Sequence, residues 1–203
     1  MYYDLSIQNR DSTDDRVTFD AARAIKKYKV GIKCATIEPK QATVREFNLK
    51  RMWRSPSGTI RNYLGGTVFR EPILINNIPR SRWWSKPIIV GRHHFGDQYI
   101  APGFHVPGPG KFEIVYTPED GGEKQKVEVF NLKTPGIILG MYETDNSIAQ
   151  FAHDCFKHAL ERNYPMFLST KNTILKTLDD RYQEIFDEVY NENYRNDFAT
   201  RGL

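Results

Sequence analysis

Cysteine is almost missing from this chain of 203 residues: Cys34 and Cys155 are the only two, far apart and without CxxC spacing. That excludes a disulfide framework and a thiolate zinc knuckle, and makes a reducing compartment the default. No apolar run reaches the ~20 residues of a membrane-spanning helix. The opening Met1-Tyr2-Tyr3-Asp4-Leu5-Ser6 has neither the basic nor the apolar region of a signal peptide, so a cytoplasmic location is expected. Neither a GxGxxG fingerprint nor a Walker A loop is present. The histidines offer no metal spacing: His93 and His94 are adjacent, and His153 and His158 stand five apart. Internal repeats and low-complexity stretches are also lacking.

What is there suits a globular protein of one large or two small domains, with 39% hydrophobic and 27% charged residues. The net charge is only +4, but it is unevenly spread. Val44 to Arg92 holds ten Lys/Arg against two acids, whereas Met141 to Leu203 holds seven against eleven. The middle of the chain is therefore the candidate anion site, for nucleic acid, phosphate or a polycarboxylate.

The patterning opens as β-α-β-α, which predicts an α/β fold with an open sheet. Tyr3–Ile7 alternates as a short strand, and Asp11–Asp15 offers N-caps to a helix through Lys27 with Val17, Ala21, Ala24 and Ile25 on one face. Val30–Ala35 reads as a buried strand and Val44–Met52 as a helix. Ser55-Pro56-Ser57-Gly58-Thr59 carries turn chemistry, and Ile73–Ile75 and Pro87–Val90 read as further buried strands. Beyond Gly96 the texture changes. Phe112, Ile114 and Tyr116 alternate with polar residues, as do Val127 and Val129, and Pro118–Gly122 lies between them, which predicts a β-hairpin. Gly136–Tyr142 and Pro165–Ser169 read as strands. Two helices are predicted, one from Asn146-Ser147 with Ile148, Phe151, Ala152, Cys155, Phe156 and Ala159 at helical spacing, the other from Asp179-Asp180 with Tyr182, Ile185, Phe186 and Val189. The end, Phe198–Leu203, reads as an interruption.

The strongest local cluster is Ser55 to Asn62. Small hydroxyl residues and glycine let backbone N–H groups approach an oxyanion, and Arg61 adds a planar fork that matches a carboxylate or phosphate. Arg70 and Arg92 end apolar or turn segments from which they could converge on the same ligand. Solvated surface arginines are the plainer reading of the same spacing. Tyr99, near these arginines, could act as an acid, and Lys171, at the end of a predicted strand, as a base; a packed tyrosine and an exposed lysine are the alternatives.

Ordered blocks decide between these readings. Lys33-Cys34-Ala35-Thr36-Ile37, Trp53 to Asn62, Leu64 to Glu71, Gly91-Arg92-His93, Gly96-Asp97-Gln98-Tyr99, Val106 to Lys111 and Leu168 to Lys176 resemble, in order and spacing, the dimeric NADP-dependent isocitrate dehydrogenases. The resemblance covers essentially the whole chain. It implies the isocitrate/isopropylmalate dehydrogenase-like α/β fold with a small domain and a hairpin clasp. Residues 1–64 would belong to the large domain, 65–95 and 141–203 to the small domain, and 96–140 to the clasp. It further implies oxidative decarboxylation of isocitrate to 2-oxoglutarate with reduction of NADP.

By that resemblance Ser55, Ser57, Arg61, Arg70 and Arg92 hold the substrate carboxylates, within a loop that also comprises Pro56, Gly58, Thr59 and Ile60. Tyr99 protonates the enolate. Lys171, with Thr173 beside it, reaches into the partner subunit of a homodimer with a shared site. Lys33, Thr36, Ile37 and Glu38 fall on the NADP side. The family's Mg²⁺ or Mn²⁺ polarises the substrate oxygens, but its metal-binding aspartates would lie beyond Leu203, so no metal ligand is expected here. No nucleic acid or membrane partner is implied, and a mitochondrial location is as compatible with the family as a cytoplasmic one. Glu38 departs from the family's threonine, Thr43 from a cofactor-contacting arginine and Ser57 from asparagine; a carboxylate at 38 would repel isocitrate unless it turned away or were neutralised. The other reading is a non-catalytic truncated homologue that dimerises through the clasp.

Overall fold

A computed structural model describes residues 1–38, 40–75, 86–96 and 101–203. They fall into two compact units, one of residues 1–100 and 143–203, the other of Ala101–Tyr142.

The first unit begins helically. The expected strand at Tyr3–Ile7 is instead the lead-in to α1 (Ile7–Ser12). Asp4 explains the difference, since its carboxylate accepts the Ser6 N–H at 2.9 Å and its carbonyl accepts the Asn9 amide at 2.8 Å, a turn that competes with extended backbone. Helix α2 (Arg16–Tyr28) follows, burying Thr18, Ala21 and Ala22; of the expected face only Ala21 is buried, while Val17, Ala24 and Ile25 are half-buried. The Asp11–Asp15 run works through tertiary contacts more than through capping. Asp11 accepts the Trp53 indole N–H at 2.7 Å and the Lys50 backbone N–H at 2.9 Å. Asp15 accepts the fully buried Arg10 guanidinium at 2.7 Å and the Thr18 hydroxyl at 2.5 Å. Arg10 also donates to the Arg54 carbonyl at 2.6 Å, which fixes the chain just before Ser55.

Three sequence expectations for strands are corrected. Val30–Ala35 pairs with no strand among the described residues, and Ile32 is 95% exposed. Ile73–Ile75 and Pro165–Ser169 are likewise unpaired and largely exposed. An apolar run becomes a strand only where a neighbour takes its backbone hydrogen bonds, and none of the described residues supplies one. Near the second expected helix, α3 (Gln41–Glu46) is shorter than Val44–Met52 suggested, and it ends before Asn48 turns to a φ of 50°. The turn expected at Ser55–Thr59 is the start of α4 (Pro56–Tyr63): Ser55 stands at the N-cap and Pro56 at the first turn, where its missing N–H costs nothing.

Beyond α4, β1 (Val68–Arg70) pairs antiparallel with β2 (Val90–Arg92). Behind this ribbon lies α5 (Asp145–Arg162), N-capped by Thr144, whose hydroxyl accepts the Ser147 N–H. Phe69 stacks on His158 with ring centroids 4.1 Å apart. Thr67 donates to Asp154 at 2.6 Å, and Arg162 pairs with Glu71 at 2.6 Å. The core is the face of α5 packed on α6 (Lys176–Val189), a five-residue π-helical turn (Tyr190–Tyr194) and α7 (Arg195–Arg201). Ile148, Phe151, Phe156, Ile185, Phe186 and Val189 fill it, at the positions whose helical spacing the sequence displays, and Phe198, which the sequence reading did not pick out, joins them. Helix α7 closes on Gly202. Gly202 sits at φ 67°, its N–H reaches the Ala199 carbonyl, and the Leu203 N–H reaches that of Phe198, a Schellman pattern that glycine permits.

The second unit is antiparallel. β4 (Gly110–Tyr116) pairs with β5 (Gln125–Leu132), with a register irregularity at Phe112/Glu113, and β3 (Gly103–Val106) pairs with β6 (Gly136–Leu139). Lys126 holds the Glu113 carboxyl below the usual carboxylate range through a 2.9 Å hydrogen bond. Among the described residues the strands thus form three two-stranded sheets.

Candidate functional site

Register decides where two of the three arginines point. Val68 lies opposite Arg92, and Arg70 opposite Val90. Directly opposed residues share a face and neighbours along a strand alternate, so Arg70 and Arg92 stand on one face of the β1–β2 ribbon. Phe69 and Gly91 take the other face, toward α5: a Cβ on Gly91 would come within 3.1 Å of the Phe69 ring and 3.4 Å of the Cys155 sulfur. The diagonal spacing of such a pair, about 7–8 Å between Cα atoms, lets two guanidinium groups bracket one small ligand.

Arg61 sits in the last turn of α4. Its carbonyl accepts the Gly66 N–H at 2.8 Å across the Gly65-Gly66 turn, where both φ angles are positive, 101° and 76°. Any side chain at Gly66 would collide with the His94 carbonyl, 2.5 Å from the Cβ position. That close approach holds the end of α4 beside the residues that follow Arg92. Arg61 and Arg70 are both exposed, and neither has an ion-pair or side-chain hydrogen-bond partner among the described residues.

The loop and helix start ahead of Arg61 divide by role. Pro56, Gly58 and Ile60 are buried and pack. Ser55, Ser57 and Thr59 remain half-exposed. The Thr59 hydroxyl donates to the Ser55 carbonyl at 3.2 Å, and the Ser55 hydroxyl donates to the Glu38 carboxylate at 3.1 Å. Glu38 therefore faces this cluster. Lys33 and Thr36 lie in the exposed segment between α2 and α3, with the Lys33 ammonium donating to the Thr36 hydroxyl at 3.0 Å and to the Cys34 carbonyl at 2.9 Å. Ile37 is 53% exposed nearby. Lys33, Thr36 and Ile37 border an open groove of about 910 Å³ that also includes Ala21, Ile25 and Ile60.

Lys171 and Thr173 are exposed in the irregular segment before α6 rather than at a strand end. Their neighbour Asn172, at φ 45°, donates its N–H to Asp179 at 2.7 Å, so Asp179 anchors this segment. Tyr99 lies outside the described residues. No group of three or more His, Cys, Asp or Glu among the described residues could hold a metal ion.

One cluster went unread in the sequence. His93 follows Arg92 and turns inward. Its Nε2 lies 2.8 Å from the Ser147 hydroxyl at the start of α5, and its Nδ1 lies 2.5 Å from the Tyr182 hydroxyl of α6 and 3.2 Å from Glu143. Tyr182 donates to Glu143 at 3.0 Å. Both ring nitrogens are thereby engaged, and the end of β2 is tied to two helices. The partners are up to 89 positions away, so only the alternation of Arg92 and His93 across the ribbon could have signalled that His93 points into the helical layer. On α5, burial pushes the Cys155 thiol up to about 12, with the charge of Asp154 adding to the effect, and the side chain packs against the helical core.

Comparison with known proteins is consistent in every case. The model of the isocitrate/isopropylmalate dehydrogenase family matches residues 1–197. The chain is 56% identical over 203 residues, 99% of its length, to a cytoplasmic NADP isocitrate dehydrogenase of Dictyostelium discoideum. It is 54% identical over 198 residues, 97% of its length, to mitochondrial NADP isocitrate dehydrogenases of Sus scrofa and Homo sapiens. It covers 49%, 47% and 44% of those three proteins, so it spans about half the length of the curated relatives it matches.

Proposed function

Since the chain belongs to the isocitrate/isopropylmalate dehydrogenase family, we propose that its basic centre binds isocitrate, as part of an NADP-dependent oxidative decarboxylation to 2-oxoglutarate. The observation that carries this reading is the placement of Arg70 and Arg92 on one ribbon face, with Arg61 pinned nearby by the Gly66–His94 contact. Arg61, Arg70 and Arg92 bind the carboxylates, and the hydroxyls of Ser55 and Ser57 complete the cradle at the start of α4. Within this reading residues 1–64 serve as large-domain elements, 65–95 and 141–203 as the small domain, and Tyr99 and Lys171 as the proton-handling groups, Lys171 in the partner's site.

NADP fits the exposed segment at Lys33 and Thr36, where an ammonium beside a hydroxyl suits a phosphate oxygen. When bound, the nicotinamide would supply the hydride acceptor. Lys33 and Thr36 would orient it, while the arginines fix the substrate. A divalent metal has no such fit, because the described residues gather no ligand set, and no step through a metal is assigned to this chain.

Calorimetric titration with isocitrate tests the reading. Saturable binding that weakens as salt rises is expected. Absence of heat at low salt, together with unchanged spectra, would end it.

The second unit supports dimerisation. Both of its ribbons expose large apolar side chains, Phe104, Val127, Phe130, Ile137 and Leu139 among them, each more than 60% exposed. Two-stranded ribbons of this kind are marginal alone. Two copies interleaving their strands would cover these faces. Sedimentation should show a dimer for the chain and a monomer for the double variant Val127→Lys/Phe130→Asp; equal masses would reject the clasp.

A further inference from the structure

The His93 ring is fixed at both nitrogens. Tyr182 gives its single hydroxyl proton to Glu143 at 3.0 Å, so its oxygen accepts from the His93 Nδ1–H at 2.5 Å. In the neutral ring Nε2 then accepts the Ser147 hydroxyl at 2.8 Å. Glu143 also lies 3.2 Å from Nδ1, and the side chains of His93 and Glu143 are only 8% and 9% exposed. Phe151 and Tyr182 pack against the imidazole, with ring centroids 5.0 and 5.7 Å away. The ring is thus clamped to the start of α5 and to α6 by hydrogen bonds shielded from water, where they are stronger than exposed ones.

β2 is three residues long and pairs only with β1 among the described residues. A two-stranded ribbon of that length has little rigidity of its own. β1 has its own anchors on α5, the Phe69–His158 stack and the Glu71–Arg162 ion pair. At the end of β2 the His93 clamp plays that part. Neighbouring side chains leave a strand on opposite faces, so holding the His93 ring against the helices sets the direction in which Arg92 leaves the other face. We propose that His93 is a positioning residue: anchored by Tyr182 and Glu143 at one nitrogen and by Ser147 at the other, it aims Arg92 at the ligand carboxylates that Arg61 and Arg70 also meet. This rests on the proposed carboxylate role of those three arginines.

The test uses the full chain with Tyr182→Phe, which keeps the packed ring and removes only the hydroxyl. Tyr194→Phe is the matched control, because it breaks the other tyrosine–histidine bond of α5, 2.8 Å from His153, a histidine with no site arginine beside it in the chain. Isocitrate is titrated calorimetrically, thermal unfolding confirms that each variant is folded, and the arginine Nε–Hε signals are recorded by NMR without ligand. A loosened Arg92 forfeits part of a charge-assisted hydrogen bond, so Tyr182→Phe should weaken isocitrate by about five- to tenfold and Tyr194→Phe should leave it within about twofold. Tyr182→Phe should also move the Arg92 signal of the ligand-free protein while that of Arg61 stays in place. Should Tyr182→Phe not fold, Ser147→Ala frees Nε2 alone and carries the same expectations. An unchanged affinity, an unmoved Arg92 signal, or an equal loss in Tyr194→Phe would overturn the proposal. If Tyr182→Phe binds as the wild type does while Arg70→Ala abolishes binding, the carboxylate reading stands and the His93 role falls. If no form binds isocitrate, the carboxylate reading is what fails, and the ligand-free Arg92 signal alone decides whether His93 aims that side chain.

Discussion

Phe156→Ala should destabilise the protein by about 3–5 kcal/mol, the range for removing a buried phenylalanine from a packed core. Phe156 is 5% exposed at the centre of the helical layer. Its ring centroid lies 5.8 Å from that of Phe186, 5.6 Å from Tyr190, 5.1 Å from Tyr194 and 5.9 Å from Phe198. Those four belong to α6, the π-helical turn and α7, so one side chain joins α5 to everything that follows it. Tyr190 and Phe198 cannot close over the gap without abandoning their edge-on contact with each other. Denaturant unfolding followed by far-ultraviolet circular dichroism measures the effect. A midpoint shift equivalent to under about 1 kcal/mol would mean that the layer repacks, contrary to the close-packed core described above.

The second large effect concerns binding. Changing both Arg61 and Arg70 to alanine should weaken isocitrate by at least about a hundredfold, because each charge-assisted hydrogen bond contributes about 1.5–3 kcal/mol. The fold should be spared. Neither guanidinium has an internal partner among the described residues, so their removal strands no buried charge. Arg10 is the contrasting case: it is fully buried, bonded to Asp15 and to the Arg54 carbonyl, and its loss would unsettle the chain around Ser55. Isothermal titration at low salt, paired with thermal unfolding, separates the two effects. Unchanged isocitrate affinity in a folded Arg61→Ala/Arg70→Ala protein would remove the arginines from the site.

Legibility followed the range of the interactions involved. The α5 core positions Ile148, Phe151 and Phe156 were readable because helical spacing is a local property. The β4–β5 hairpin was readable because alternation about a Gly-containing turn is also local. Val30–Ala35 and Pro165–Ser169 were misread because a strand depends on its neighbour, and periodicity says nothing about whether one is supplied. Ser55-Pro56 was taken for a turn because the same residues open helices; Ile60 and the Gly65-Gly66 stop decide in favour of α4.

The candidate site divides in the same way. Arg70 and Arg92 were picked out as cations, but their common face emerges only from the Val68–Arg92 register. The bond between Glu38 and Ser55 spans 17 positions, and that between His93 and Tyr182 spans 89, and neither leaves a mark in local composition. The ordered blocks named the family, and geometry then supplied the argument for how this chain's residues could meet one ligand.

The most direct test follows the guanidinium Nε–Hε resonances of Arg61, Arg70 and Arg92 by heteronuclear NMR as isocitrate is added. A single ligand held by all three should move the three signals together, along one saturation curve. Shifts confined to one arginine, or three unrelated curves, would mean that these cations serve separate surfaces and that no common carboxylate site exists.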